Sequence, residues 1–388
     1  MTLLKTRQLS SPEPLFYGKT KKNQWAMVTE KIPDCSTVLD AFSETADKSR
    51  KFDLLLLICQ ELAKQHSKGV LQKDLHLGNF LLAHNNKVFA IDPGQMRFLY
   101  HRLRRSECIS QLAALACYLH PNDSESVSKL CHEYAHSRGW HFEKSDNILF
   151  KKQMVLHRKK IIRRGLKKCL RTSRQYLRIK TGKISAVFNR DFCQKAEPLE
   201  FIKRIDTLMT QGRILKNGNT CFVSRITWND KDIVIKRYNN KGFIHSLRHT
   251  IKKSRARHNW LHTHRLDSLG IATPKPLVYI EEYRGPLLWK SYLVAEYIEG
   301  RKLHDFLCDD SVTNQRRLDE TRQVTELLRQ LGKNNITHGD LKHSNILVTD
   351  NGPVIIDLDA MKVHFSRCLF KISRAKDMKR FAKHHIQS

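Results

Sequence analysis

An α+β fold of two lobes, with part of it written twice along the chain, is predicted by three observations. Short alternating apolar runs are separated by helix-length amphipathic segments, an Asp-Leu-x-x-x-Asn-apolar element occurs twice, and each occurrence runs through a polar turn into an apolar strand bearing an aspartate. The paired elements are QKDLHLGNFLL (Gln72–Leu82) and HGDLKHSNILV (His338–Val348). With 388 residues and 40% hydrophobic content the chain can build two or three domains with real cores, so disorder is not the expectation.

The elements follow one another in matching order. SPEPLFYGKTKKNQWAMVTEKIPDCSTVLDAF (Ser11–Phe42) parallels TPKPLVYIEEYRGPLLWKSYLVAEYIEGRKLHDFL (Thr273–Leu307): each opens on Pro-x-Pro-Leu, runs as an apolar strand into a glutamate, Glu30 or Glu296, and then turns. Helical patterns follow, FDLLLLICQELAKQH and TRQVTELLRQLGKNN, each leading through a short turn into the Asp-Leu-x-x-x-Asn element. Beyond it, Asn-Asn or Asn-Gly turns the chain back into KVFAIDPG or PVIIDLDA, whose aspartates are Asp92 and Asp357. Only the second copy is preceded by LKNGNTCFVSRITWNDKDIVIKRYNN, which reads as a hairpin turning at Asn229-Asp230, with Gly218 in the loop before it and Lys236 on its second strand. A basic helix from about His245 to Leu269, stopped by Gly270, comes next. In the first copy this material would precede Met1, so either it has been lost or the true start codon lies upstream. The predicted organisation is a truncated first copy over 1–150, a basic helical linker over 151–195 and a complete small domain over 196–388.

Charge narrows the partners. The formal net charge is +32, from 70 Lys and Arg against 38 Asp and Glu, which favours nucleic acid, phosphorylated metabolites or an anionic membrane surface. Residues 151–180 hold 13 Lys or Arg and no acidic residue, with Ile162, Leu166, Cys169, Leu170, Ser173 and Leu177 at helical spacing. Such a segment can lie on an anionic membrane or simply present solvated basic faces between domains. Nucleic acid is not the expected partner, because Tyr176 is the sole aromatic there. The ten cysteines form no Cys-x-x-Cys pair or zinc-like cluster, which fits reduced thiols in a cytosol. The longest apolar run, Leu54–Cys59, is far too short to span a bilayer, so a soluble protein with peripheral membrane contact is expected.

The second copy carries the parts that phosphoryl transfer from ATP requires, in order. Lys236 on a strand would pair with the phosphates, Asp340 would act as the catalytic base, and Asn345 and Asp357 would supply oxygen ligands to Mg²⁺. Gly218 and Glu296 complete the nucleotide-binding set, and His338-Gly339 precedes Asp340 as in kinase catalytic loops. A lone Asp-x-x-x-x-Asn arises readily in polar loops, whereas the ordered set on the right element types does not. A protein-kinase-like two-lobed fold follows. The first copy keeps Asp74, Asn79 and Asp92, but has Gln72 where the second has His338, and it lacks the phosphate lysine and glycine loop, so it reads as a pseudokinase.

VIKRYN around Lys236, SRARHNWLHTHRLDSLGIATPKPL, HGDLKHSN, VIIDLDAM and SRAKDMKRF together resemble the bacterial lipopolysaccharide core kinases, the Kdo and heptose kinases, over residues 200–388. Residues 11–118 resemble them over the first copy only, and both stretches are more distantly similar to aminoglycoside and RIO-type kinases. The resemblance implies ATP-dependent phosphorylation of a heptose or Kdo hydroxyl of the lipopolysaccharide inner core. It also implies a cytoplasmic enzyme peripheral to the inner face of the inner membrane, whose anionic lipids would suit the positive charge. There is no Asp-Phe-Gly and no Ala-Pro-Glu, and about 31 residues follow Asp357, so protein substrates are disfavoured. Between Lys236 and Glu281 the only acidic residue is Asp267, so the usual glutamate partner of the lysine is missing, and Asn259 stands near its expected place. Two other readings stay open: a catalytically silent scaffold binding anionic glycolipid or partner enzymes, and a kinase-like enzyme acting on another small molecule or a protein.

Overall fold

Helices and sheets are mixed as expected in the computed structural model, which describes residues 1–101, 103–193, 198–239 and 254–383. The chain divides into two units, Met1–Ile161 and Ile162–Ser388.

The first unit opens with α1 (Thr2–Thr6), the hairpin β1 (Pro14–Lys19) and β2 (Trp25–Thr29), β3 (Cys35–Thr37), α2 (Val38–Glu44) and α3 (Lys48–Ser67). Helix α3 starts where Asp47 accepts hydrogen bonds from the Ser49 and Arg50 amides, and its apolar stripe buries Leu54, Leu55, Ile58 and Leu62. Then come β4 (Val70–Gln72), a 3-10 turn at Leu77–Asn79, β5 (Phe80–Ala83), β6 (Val88–Ala90), β7 (Met96–Phe98), α4 (Arg105–Ala116), α5 (Ser124–Arg138) and α6 (Lys144–Lys168). Strands β3-β5-β6 form one small sheet and β4-β7 another, while among the described residues β1 pairs only with β2. One core, running from Leu4 to Phe150, holds the unit together.

The second unit begins within α6 and continues with β8 (Tyr176–Lys180), β9 (Ile184–Asn189), α7 (Arg190–Cys193), α8 (Pro198–Gln211), β10 (Arg213–Gly218), β11 (Cys221–Trp228) and β12 (Lys231–Tyr238). After α9 (Arg255–Asp267) come β13 (Pro276–Arg284) and β14 (Leu287–Glu296), completing a seven-stranded sheet in the order β10-β11-β12-β14-β13-β9-β8. A helical half follows: β15 (Arg301–Lys302), α10 (Leu303–Leu307), α11 (Asn314–Lys333), β16 (Ile336–Thr337), β17 (Ile346–Thr349), β18 (Gly352–Ile355), β19 (Lys362–Val363) and α12 (Arg367–Lys383). The two faces of the sheet bury different sets. Ile233, Ile235, Val278 and Val294 pack with Phe201, Ile205 and Met209 of α8, whereas Tyr238, Tyr279 and Leu293 pack with Ala256 and Trp260 of α9. Because side chains alternate along a strand, Lys236 shares the α9 face with Tyr238.

Three expectations change. The hairpin before Lys236 is three strands, because β10 lies at the sheet edge, exposed along almost all its length, and so carries no apolar alternation to read. Of the helical linker expected over 151–195, the long basic helix ends at Lys168 and only the short α7 follows among the described residues. Between them Leu177 lies on β8, and β9, buried along five of its six residues, pairs with β13, so the β-branched and aromatic residues there serve the sheet. Of the basic helix expected from about His245, residues 245–253 lie outside the described residues. The part seen begins at Arg255 with Ser254 as its cap, and the chain leaves it through Gly270 at φ +67°.

Candidate functional site

Lys236 sits in mid-β12, paired with Val223 on one side and Leu293 on the other, and its side chain is 15% exposed. Its ammonium lies 2.6 Å from Asp357 Oδ1 and 2.9 Å from Asp359 Oδ2. Asp359 is the hub of this cluster. Its Oδ1 accepts from the Tyr238 hydroxyl at 2.6 Å and from Asn259 Nδ2 at 2.8 Å, and its Oδ2 also takes the Arg255 guanidinium at 2.7 Å. Burial pulls Lys236 towards neutrality, but the charges of Asp359 and Asp357 outweigh it and raise its pKa above 10.5. Burial likewise disfavours the Asp359 carboxylate, and the Lys236 charge with the Tyr238 hydrogen bond outweighs that, leaving its pKa below 3.8.

The loop that carries Asp340 is held from two sides. His338 is buried, donates from Nε2 to the Ile356 carbonyl at 2.9 Å and accepts the Asp340 amide at Nδ1 at 3.3 Å. On α12, the buried Asp377 carboxylate accepts the His338 amide at 2.7 Å and the Gly339 amide at 3.0 and 3.1 Å, while Arg380 donates to the Gly339 carbonyl. Gly339 has φ +81°, and a Cβ there would come within 2.3 Å of the Ala360 carbonyl oxygen, so no side chain fits. Asn345 closes the loop by donating from Nδ2 to the Asp340 carbonyl at 2.8 Å, and its own carbonyl accepts the Ile356 amide at 3.0 Å. That last bond sets Asp357, two residues past β18 and in the left-handed conformation with φ 59°, beside the loop. Asp340 itself pairs with Lys342 at 2.9 Å, both side chains being 39% exposed.

Lys236, Asp340, Asn345 and Asp357 thus gather around one region. Gly218 is the last residue of β10, opposite Cys221 across a two-residue tip, rather than in a loop before the hairpin. Cys221 in turn pairs with Tyr238, so this tip stands over the end of β12 that bears Lys236. Glu296 ends β14 opposite Ile233, with its amide donating to the Lys275 carbonyl at 3.0 Å. In the first unit Asn79 Nδ2 donates to the Asp74 carbonyl at 3.0 Å, and Asp92 takes φ 58°. Asp92 also lines an open cleft of roughly 560 Å³ together with Glu30, Leu81 and Ile91. Sequence reading missed Asp359, Asp377 and Lys342. A second aspartate two positions after Asp357 and a cation two after Asp340 were visible signals, whereas nothing local marks Asp377.

The residues fit a magnesium ion and a nucleotide. Among the described residues Asp357 receives a hydrogen bond only from Lys236 and is 35% exposed, and Asn345, whose Nδ2 is committed to the Asp340 carbonyl, would offer its Oδ1 as a second hard oxygen. Two protein oxygens suffice for an ion that keeps waters and takes substrate phosphates. Among the described residues no helix is long and apolar enough to cross a membrane. No curated protein matches the chain. Residues 208–387, within the second unit, match the family model of the lipopolysaccharide kinases (Kdo/WaaP).

Proposed function

We propose that the second unit is an ATP-dependent phosphotransferase that phosphorylates a heptose or Kdo hydroxyl of the lipopolysaccharide inner core. The observation that carries this reading is the joint placement of Lys236, Asp357 and the Asp377-anchored loop bearing Asp340. In the reaction Asp340 accepts the proton of the sugar hydroxyl as its oxygen bonds to the γ-phosphorus, the bond to the bridging oxygen breaks, and ADP leaves. Lys236 would balance phosphate charge, Asn345 and Asp357 would hold magnesium, and the Gly218 tip and the Glu296 end of β14 would bound the nucleotide. Bound magnesium would neutralise charge on the phosphates. Lys342 offers a second cation beside the base.

Helix α6 supports action at the anionic cytoplasmic face of the inner membrane, since it exposes Ile148, Val155, Leu156 and Ile161 among its many lysines and arginines. The first unit we read as a pseudokinase copy of the second that does no chemistry. Its loop shares with the second the asparagine-to-aspartate and asparagine-to-isoleucine hydrogen bonds, yet among the described residues β2 pairs with β1 alone and no counterpart of β12 lies on its other edge. Incubation of the purified chain with Mg·ATP and delipidated or intact core oligosaccharide tests the main reading. Transfer of labelled phosphate to the sugar that is lost in Lys236→Ala is expected. Nucleotide-independent glycolipid binding without transfer would instead favour the scaffold reading, and transfer to another acceptor would redirect the substrate.

A further inference from the structure

The one acidic residue of α9, Asp267, stands at its last position, and among the described residues Lys236 pairs instead with Asp357 and Asp359. Asn259, at the position where a glutamate partner is sought, reaches Asp359 rather than the lysine. A carboxylate has about four acceptor sites, and those of Asp359 are filled two to each oxygen: Tyr238 and Asn259 on Oδ1, Lys236 and Arg255 on Oδ2. Its side chain is 14% exposed. Asp357 differs on each count, being 35% exposed with one donor among the described residues, Lys236. A saturated, buried carboxylate cannot take a metal without losing a partner, whereas an exposed one with a single contact can.

We propose that Asp359 is the positioning residue that anchors Lys236 in place of a helix glutamate. On this assignment the Lys236–Asp357 contact is the one that breaks when nucleotide and metal arrive, leaving the lysine fixed by Asp359 and releasing Asp357 to the ion. The nucleotide half rests on the phosphotransferase reading, while the anchoring half does not.

The test uses the full chain as wild type, Asp359→Asn, Asp357→Asn and Tyr238→Phe, the last removing a single hydroxyl from the hub in case Asp359→Asn folds poorly. Pulse acylation of nucleotide-free protein with acetic anhydride, read by peptide mass mapping, reports how firmly Lys236 is held. Loss of hydrogen bonds to a charged group should raise Lys236 modification roughly 10- to 100-fold in Asp359→Asn, with Tyr238→Phe moving the same way by less. Asp357→Asn should raise it less than Asp359→Asn, and equal or reversed effects would overturn the anchor. Titration with a fluorescent ATP analogue in EDTA gives the second readout. Asp359→Asn should weaken metal-free binding, and Asp357→Asn should match or exceed wild type, because the competing carboxylate is gone. Unchanged binding in Asp359→Asn overturns the proposal. If wild type itself binds no nucleotide, the phosphotransferase reading fails and the acylation order alone judges the anchor.

Discussion

The loops at Gln72–Asn79 and His338–Asn345 share a backbone and differ in what holds it. In both, the asparagine amide ties back to the aspartate carbonyl, the asparagine carbonyl accepts the amide of the isoleucine before the second aspartate, and that aspartate is left-handed. Their anchors are opposite in polarity. In the second unit the Asp377 carboxylate takes two backbone amides, and Gly339, with positive φ, lets both face α12. In the first unit Gln111 of α4 instead donates to the Gln72 carbonyl, while the Lys73 amide turns away to the Gln95 carbonyl at 2.6 Å. Behind Gln111 runs a buried network: Gln72 donates to Gln65, Gln65 donates to Glu61, and His66 bridges Gln111 and the Tyr134 hydroxyl. The shared bonds are local and persist in a loop whose unit has, among the described residues, no counterpart of β12. The carboxylate anchor is seen in the unit where Lys236, Asp340, Asn345 and Asp357 gather.

The comparison can be broken most severely at the aspartates themselves. Asp340→Asn is expected to lower phosphate transfer about 10²- to 10⁴-fold, the range for loss of a general base, and Asp74→Asn to leave it unchanged. A parallel loss in Asp74→Asn, in a labelled-ATP assay, would place chemistry in the first unit. The anchors come next. Asp377→Asn swaps a charged acceptor of two amides for one that is half donor, so kcat should fall about tenfold or more with KM for ATP little changed, since Lys236 is held elsewhere. Gly339→Ala should cost about 1–3 kcal/mol by denaturant melting of the second unit, from positive φ and the close Ala360 carbonyl, whereas Lys73→Gly should cost under about 1 kcal/mol.

The smallest effect is one of pH. Burial lowers His66 from 6.5 to about 4, partly opposed by its hydrogen bond with Gln111. The unfolded chain therefore takes up the proton first, so the contribution is complete above pH 6.5 and declines as pH falls towards 4, by about 1.4 kcal/mol per pH unit at most. Hydrogen exchange of first-unit core amides should show this slope, and His66→Gln should flatten it while lowering stability at neutral pH. His264 is shifted in the same direction in the second unit, so that unit keeps its slope in the variant.

The repeated loop, the strand carrying Lys236 and the aspartates beyond each turn were legible because each rests on a short-range rule: alternation, a fixed spacing or turn chemistry. The edge strand β10 was not, since an exposed edge has no pattern to bury. Nor was β9, whose run Ile184–Asn189 lies beyond a strongly basic helix whose charge pattern continues to Lys180 and masks the change to strand.

Asp359 and Asp377 teach the same lesson more sharply. Both lie in stretches that carry the family resemblance, DLDA and AKDM, and either could pass for a surface acid in a turn or on a helix. From the amino acids in order follow the parts of the site and their sequence along the chain: Lys236, Asp340, Asn345 and Asp357. Which carboxylate is buried, and against which cations and amides, follows only from folding. Asp359 meets Lys236 and Tyr238 across more than a hundred residues, and Asp377 meets His338 from the far end of the domain. A buried charge is stable only where long-range packing assembles its partners, and no local pattern records that assembly.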